Sequence, residues 1–206
     1  AGVDVIKAAC APITYGTVEH MLFDNARLEA GQTVLIQAGG SGIGSTAIKM
    51  AKAVGCTVFT TVGSDDKIEK AKALGADHVI NYTTDRFEGR VRRLTDKRGV
   101  DVVFEHVGPT TWGGSLLSMA FGGRLVTCGS TTGITAETNL YQLFQMQLKI
   151  FGSFGSSIRN VRESLDKMAA GMAPVIDTEI ALAEFPKALE RLKSRQVFGK
   201  IIATIP

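Results

Sequence analysis

The sequence predicts an α/β domain built on a doubly wound, parallel sheet of six strands. Three observations predict it. Short apolar or β-branched runs recur along the chain, at 33–38, 57–62, 78–81, 101–105, 123–128 and 149–154. Amphipathic stretches of helical period lie between them, the alternation of βαβ units. Between the first run and the helix after it, Gly39, Gly40, Ser41, Gly42 and Gly44 crowd one turn.

Residues 1–29 read as two helical stretches, the second placing Val18, Met21 and Leu22 on one face. TVLIQA then forms the first strand. Ile43, Ala47, Met50, Ala51 and Val54 recur at helical spacing behind the glycines, and Gly55 fits a C-terminal cap. TVFTTV is a β-branched second strand. Ser64 is placed to cap a helix running to Leu74, with Ile68, Ala71 and Leu74 inward and Gly75 closing it.

HVIN gives the third strand. A helix over 85–98 turns Phe87, Val91 and Leu94 inward and Arg86, Arg90, Arg93 and Lys97 outward. That basic stripe is a solvated face, since no aromatic or glycine interleaving accompanies it. DVVFE and GRLVTC are strands four and five, joined by a helix carrying Leu116, Leu117 and Met119. A helix over 140–147 precedes the sixth strand, KIFGSF. The last fifty or so residues break the rhythm: helix at 158–170, extended chain at 177–182, amphipathic helix at 184–194, strand at 200–205. Such a tail has no βαβ unit to continue and suits another domain's sheet.

Composition narrows the function. The 206 residues are 45% hydrophobic and 21% charged, enough for a full core, and the net charge of +3 gives no general attraction to nucleic acid or an anionic membrane. No apolar run is long enough to span a bilayer, and the first residues do not read as a signal peptide. Cys10, Cys56 and Cys128 are odd in number, far apart and without metal spacing. A reducing cytoplasm is their simplest setting.

The glycine turn carries the chemistry. It joins a strand to a helix start, where unpaired amides and the helix dipole favour an anion, most often a nucleotide pyrophosphate. As G-x-G-x-x-G it reads Gly39, Ser41 and Gly44, and the Ser41 side chain must turn aside for a phosphate to approach. An acid after the second strand would select NAD. The chain has Val62, Gly63 and Ser64 there. Asp65 and Asp66 suit a helix start, but Lys67 in a first turn wants an anion, and a 2′-phosphate would supply one. NADP(H) is therefore expected over NAD. Tyr82 has two open readings: covering the adenine or touching that phosphate, or an ordinary half-buried tyrosine.

AGGSGIGSTAIKMAKAVG, TTVGSDDKIEKAKALGADHVINY, GVDVVFEHVG, GGRLVTCGSTTG and KIFGSFG, in this order, resemble the medium-chain dehydrogenase/reductase superfamily, above all its quinone-oxidoreductase-like and alcohol-dehydrogenase-like members. The resemblance implies a Rossmann cofactor domain at 31–156, a lead-in at 1–30 and a tail at 157–206 that returns to an N-terminal GroES-like catalytic domain absent from this sequence. It implies hydride transfer with a small-molecule substrate, and a homodimer paired along the sixth strand. The residues above make Gly39, Ser41, Gly42, Ile43, Gly44, Gly63, Ser64, Lys67 and, on its first reading, Tyr82 the expected contacts of the adenosine and pyrophosphate half, and the resemblance implies further cofactor contacts from Thr17, Val107, Gly108, Cys128, Gly129, Ser130, Gly152 and Ser153. Members with zinc carry a Cys four residues before the Thr that matches Thr17. That position is Ile13, which cannot bind a metal, so a zinc-free reaction is expected.

FEHVG also resembles the FEHPG of crotonyl-CoA carboxylase/reductases, an enoyl-thioester branch, in which case His106 would face a substrate. A packing or hydrogen-bonding His106 is the other reading. A short-chain dehydrogenase is excluded: Tyr15, Tyr82 and Tyr141 are followed four residues on by Glu19, Arg86 and Gln145, never the Lys of Y-x-x-x-K. A zinc-dependent alcohol dehydrogenase and a regulatory NADP-binding module without chemistry remain as alternatives. The unpaired tail favours the enzyme.

Overall fold

The computed structural model describes residues 2–205. Six strands form one sheet: β1 (Thr33–Ile36), β2 (Thr57–Val62), β3 (His78–Asn81), β4 (Val100–Glu105), β5 (Met119–Thr127) and β6 (Lys149–Gly152). All neighbours are parallel, in the order β3-β2-β1-β4-β5-β6. The order reverses between β1 and β4, the point at which an open α/β sheet leaves a crevice at its carboxyl edge.

Alternation along each strand divides the core. Val34, Ile36, Val58, Val62, Val102 and Phe104 pack on one face, with α3 (Gly42–Val54) and the lead-in. Leu35, Phe59, Val103 and Leu125 pack on the other, with Phe87 and Val91 of α5 (Phe87–Leu94) and Leu116 of α6 (Pro109–Leu117). Both faces are covered, which is why these strands read as near-continuous apolar runs.

The lead-in is a short helix, α1 (Val5–Ala8), then a wide-turned helical stretch from Ala11 to Asn25 that contains α2 (Gly16–Glu19). Several boundaries differ from expectation. The helix expected over 85–98 ends at Leu94, because Asp96 and Lys97 take positive φ, and Leu94 is exposed rather than inward. Met119 leaves the helix for β5, where it pairs with Val100. Ser64 makes no side-chain cap: Asp65–Lys67 form a 3-10 turn before α4 (Ile68–Ala73). Strand six stops at Gly152, so Ser153 follows it rather than lying in it.

After α7 (Leu140–Gln145) and α8 (Ile158–Ala169), the tail holds β7 (Ile176–Ala181), α9 (Phe185–Lys193) and β8 (Lys200–Thr204). β7 and β8 pair with each other in a second, two-stranded sheet. β8 begins against the glycine turn, where Gly199 bridges Ser41. No helix among the described residues is long and apolar enough to cross a membrane.

Candidate functional site

Three groups of the expected residues meet at the carboxyl edge. The first is the glycine turn. Ser41 is the N-cap of α3 and its hydroxyl accepts from the Gly44 amide at 2.8 Å, so its side chain takes up one amide of the helix start. The amides of Gly42 and Ile43, at the helix start, have no carbonyl one turn back to receive them. A Cβ on Gly44 would collide with the Ala38 carbonyl, so this glycine lets helix and strand close up. A Cβ on Gly42 would instead meet the flexible Lys200 side chain, which lies over the helix start.

The second group lies at the end of β2. The Tyr82 ring covers Gly63, whose Cβ would stand 2.6 Å from the tyrosine oxygen. Lys67 Nζ donates to the Arg195 carbonyl at 2.6 Å, and Arg195 Nη1 donates to the Tyr82 oxygen at 3.2 Å. Lys67 thus takes a carbonyl as partner where an anion was expected. Ser64 sits beside them, at the N-cap of the 3-10 turn.

The third group spans the ends of β4, β5 and β6. Gly108 has φ of 100°, which lets the turn after β4 fold against the loop after β5; there Thr132 N donates to Val107 O at 2.9 Å. A Cβ on Gly129 would come within 2.9 Å of the His106 carbonyl, so Val107, Gly108, Gly129 and Ser130 form one backbone surface. Cys128 is half-buried, and burial, with a smaller push from Glu105, raises its thiol to about 11, so it is protonated at neutral pH. Gly152 pairs with Thr127, and the Ser153 amide donates to Thr127 O at 2.8 Å. Thr17 is buried in α2, away from the glycine turn in sequence, and α2 packs against both α8 and α3.

Of the two readings of His106, the hydrogen-bonding one has a partner in the structure. Its Nε2 lies 2.9 Å from the Gln37 carbonyl, so that nitrogen carries the proton and donates. Burial lowers its pKa, against the opposing pull of the Gln37 bond and of Glu105, and the ring meets Phe104 edge-on at 5.9 Å. Glu105 is fully buried at the end of β4, and its Oε1 accepts the amides of His106, Val107 and Gly108 at 2.9, 2.7 and 3.2 Å.

Sequence reasoning missed Arg195, Phe198 and Lys200. Phe198 is buried against Gly40, with Lys70 Nζ 5.8 Å from its ring centroid. Gly199, at φ of 100° and with no room for a Cβ beside the Val175 carbonyl, lets the chain make this approach. The glycine in FGK was the one local signal.

Sheet, switch point and glycine turn define a Rossmann-type α/β domain. Residues 42–170 match the family described as zinc-binding dehydrogenase, and the chain belongs to that family, as the cofactor-binding domain of a medium-chain dehydrogenase/reductase. A quinone oxidoreductase of Pseudomonas aeruginosa is 29% identical over 211 residues, which cover 98% of this chain and 65% of that protein. The crystal structure of an NAD-dependent alcohol dehydrogenase superposes with a TM-score of 0.92 at 34% identity, over 99% of this chain and 60% of that one. A 2-octenoyl-CoA carboxylase reductase, CinF, in complex with NADP and 2-octenoyl-CoA, gives 0.87 at 29%, over 96% and 49%. The chain spans about half to two thirds of the length of these relatives.

The family's name raises zinc. The ligand position carries Ile13, an exposed hydrocarbon, and among the described residues no group of three or more His, Cys, Asp or Glu could hold a metal. The donors present do not fit a zinc ion.

Proposed function

We propose that this chain is the cofactor-binding part of an NADPH-dependent oxidoreductase. It exchanges a hydride with a small carbonyl, quinone or enone and uses no catalytic zinc. The observation that carries this reading is the cradle at the switch point: free amides at the start of α3, Lys200 above them, and a cationic corner of Lys67 and Arg195 with Tyr82 at the end of β2. The α3 amides and Lys200 receive the pyrophosphate. Lys67, Arg195 and Tyr82 receive the 2′-phosphate, and no acid stands at Val62, Gly63 or Ser64 to favour a free ribose hydroxyl. The similar proteins differ in cofactor, NAD for the alcohol dehydrogenase and NADP for CinF, and the cationic corner supports NADP here.

When bound, the nicotinamide supplies the hydride. The surface of Val107, Gly108, Gly129 and Ser130, with Cys128, Gly152 and Ser153 beside it, holds the ring and shields one face from water. A GroES-like domain closes the other face over the substrate, taking up β7 and β8: a two-stranded sheet alone buries little. Three free cysteines suit a reducing cytoplasm. A second reading, enoyl-thioester reduction, has the likeness to CinF in its favour.

Titration with NADPH and NADH tests the proposal. The wild type should bind NADPH more tightly. Gly42→Asp sets a carboxylate against the pyrophosphate and should abolish binding while the far-UV spectrum stays native. Equal affinities in wild type and variant would sink it.

A further inference from the structure

A chain of buried hydrogen bonds crosses the sheet beneath this cradle. The Ala38 amide donates to Thr61 Oγ1 at 3.0 Å. The Thr61 hydroxyl donates to Gln37 Oε1 at 2.7 Å, and Gln37 Nε2 donates to Ser115 Oγ at 3.0 Å. The Ser115 hydroxyl donates to Glu105 Oε2 at 2.7 Å. Thr111 Oγ1 lies 3.0 and 2.9 Å from the two Glu105 oxygens, and the amides of residues 106–108 converge on Oε1. Gln37, Ser115 and Glu105 are 0% exposed and Thr61 is 1% exposed.

The direction of the chain is fixed. A hydroxyl has one proton to give. With Ser115 giving its proton to the carboxylate, its oxygen receives from the Gln37 amide nitrogen. The Gln37 oxygen then faces Thr61, which in turn receives the Ala38 amide. Turning any one member breaks two links, and a buried polar group without a partner is costly. The ends of the chain are the two places that must agree for a dinucleotide to lie straight. Ala38 opens the glycine turn, and residues 106–108 form the nicotinamide wall. The Gln37 carbonyl adds a cross-link by receiving His106 Nε2.

The geometry points to Thr61, Gln37, Ser115 and Glu105 as one positioning unit, which sets the turn at 106–108 in register with the glycine turn. This inference rests on the dinucleotide reading above. None of the four side chains is placed against the cofactor; each acts through the backbone it holds. The adenosine half of the ligand depends on the end of β2 and the glycine turn, and the nicotinamide half depends on the unit being intact.

The test uses Ser115→Ala, Thr61→Val, their combination and Thr61→Ser, in the full-length protein. Each is titrated with NADPH and with 2′,5′-ADP, which has the adenosine half alone, and the fluorescence of bound NADPH is read. Each single break removes a hydroxyl that makes two bonds of the chain and should weaken NADPH roughly three- to tenfold, the scale of a net hydrogen-bond contribution. Ser115→Ala, which leaves the Thr61 bond to the Ala38 amide in place, should leave 2′,5′-ADP unchanged and lower the bound nicotinamide emission. The double variant should bind no worse than the weaker single, since the chain is then already broken. Thr61→Ser keeps the hydroxyl and should restore wild-type behaviour. Losses that multiply in the double, an equal loss for 2′,5′-ADP in Ser115→Ala, or unchanged NADPH affinity would each overturn the unit. Should Ser115→Ala fail to fold, Ser115→Cys carries the same comparison. A wild type that binds neither NADPH nor NADH removes the dinucleotide reading and this inference with it, whereas a wild type that binds and variants that multiply remove this inference alone.

Discussion

The Gly199 amide donates to the Gly40 carbonyl across 2.8 Å. This one bond ties the start of the last strand to the middle of the glycine turn. It carries Phe198 onto Gly40 and Lys200 over Gly42. The tail is thereby packed directly against the glycine turn. Asp177 braces the same corner: its Oδ1 accepts the Phe198 amide at 3.1 Å and its Oδ2 pairs with Arg191 at 2.6 Å.

The cationic corner sets the first expectation. Lys67→Ala and Arg195→Ala should each weaken NADPH by about 1.5–3 kcal/mol, the range of a hydrogen bond to a charged group, and leave NADH nearly unchanged. Lys67 already holds the Arg195 carbonyl. The two losses should therefore combine to less than their sum. A wild type that binds NADH as tightly as NADPH would mean that the corner recognises no phosphate.

Much of this was legible in the sequence, for a local reason. Strands buried on both faces announce themselves as apolar runs, and the glycine turn lies within one strand-to-helix connection. The joints of the fold were harder to read. Met119 looks helical from its neighbours, yet the ladder to Val100 claims it. Leu94 fits the apolar stripe of α5, yet the chain turns away directly after it. The tail's contribution could not be read at all, because Arg195 meets Tyr82 across 113 positions and no periodicity encodes such a contact. Glu105 stands in the sequence only as the last residue of the fourth strand. Only the fold shows that three amides and two hydroxyls converge on it.

Asp24 gives a pH expectation. Burial alone would raise its carboxyl, but Asn160, Arg159 and His20, at 2.8, 2.6 and 3.1 Å, outweigh burial and hold it at about 2, below the ordinary 3.8. A carboxyl depressed in the folded state stabilises the fold above its unfolded pKa, and that contribution fades as pH falls through the folded value. Asp24→Asn should therefore cost about 2 kcal/mol at neutral pH. The gap should close between about pH 4 and pH 2 in urea titrations at stepped pH. A gap that persists at the acid end would assign the loss to packing.

The sheet's far edge gives an association expectation. Among the described residues β6 pairs only with β5, and Ile150 on it is exposed, as are Tyr141 and Phe144 of α7. An open apolar edge is normally paired or covered. Sedimentation at micromolar concentration should give a dimer, and Ile150→Lys should shift it to monomer. A wild-type monomer would leave the edge to another partner.

The last expectation is that this chain binds NADPH yet turns nothing over alone. The carboxyl edge supplies one wall. Its polar groups are already engaged: His106 with the Gln37 carbonyl, and Glu105 with the amides behind the turn. The Cys128 thiol, at about 11, is no base at neutral pH. None forms an acid–base pair aimed at a substrate. Without a second wall the nicotinamide faces water. The advantage of holding substrate against it, worth about 7–11 kcal/mol when complete, is then largely absent. NADPH oxidation by this chain with 1,4-benzoquinone, crotonyl-CoA or an aldehyde should stay at the no-enzyme rate, while the full-length protein turns over at least one of the three. Turnover by the chain alone that vanishes in His106→Ala would reverse this conclusion, because the imidazole would then have to leave Gln37 and reach the substrate.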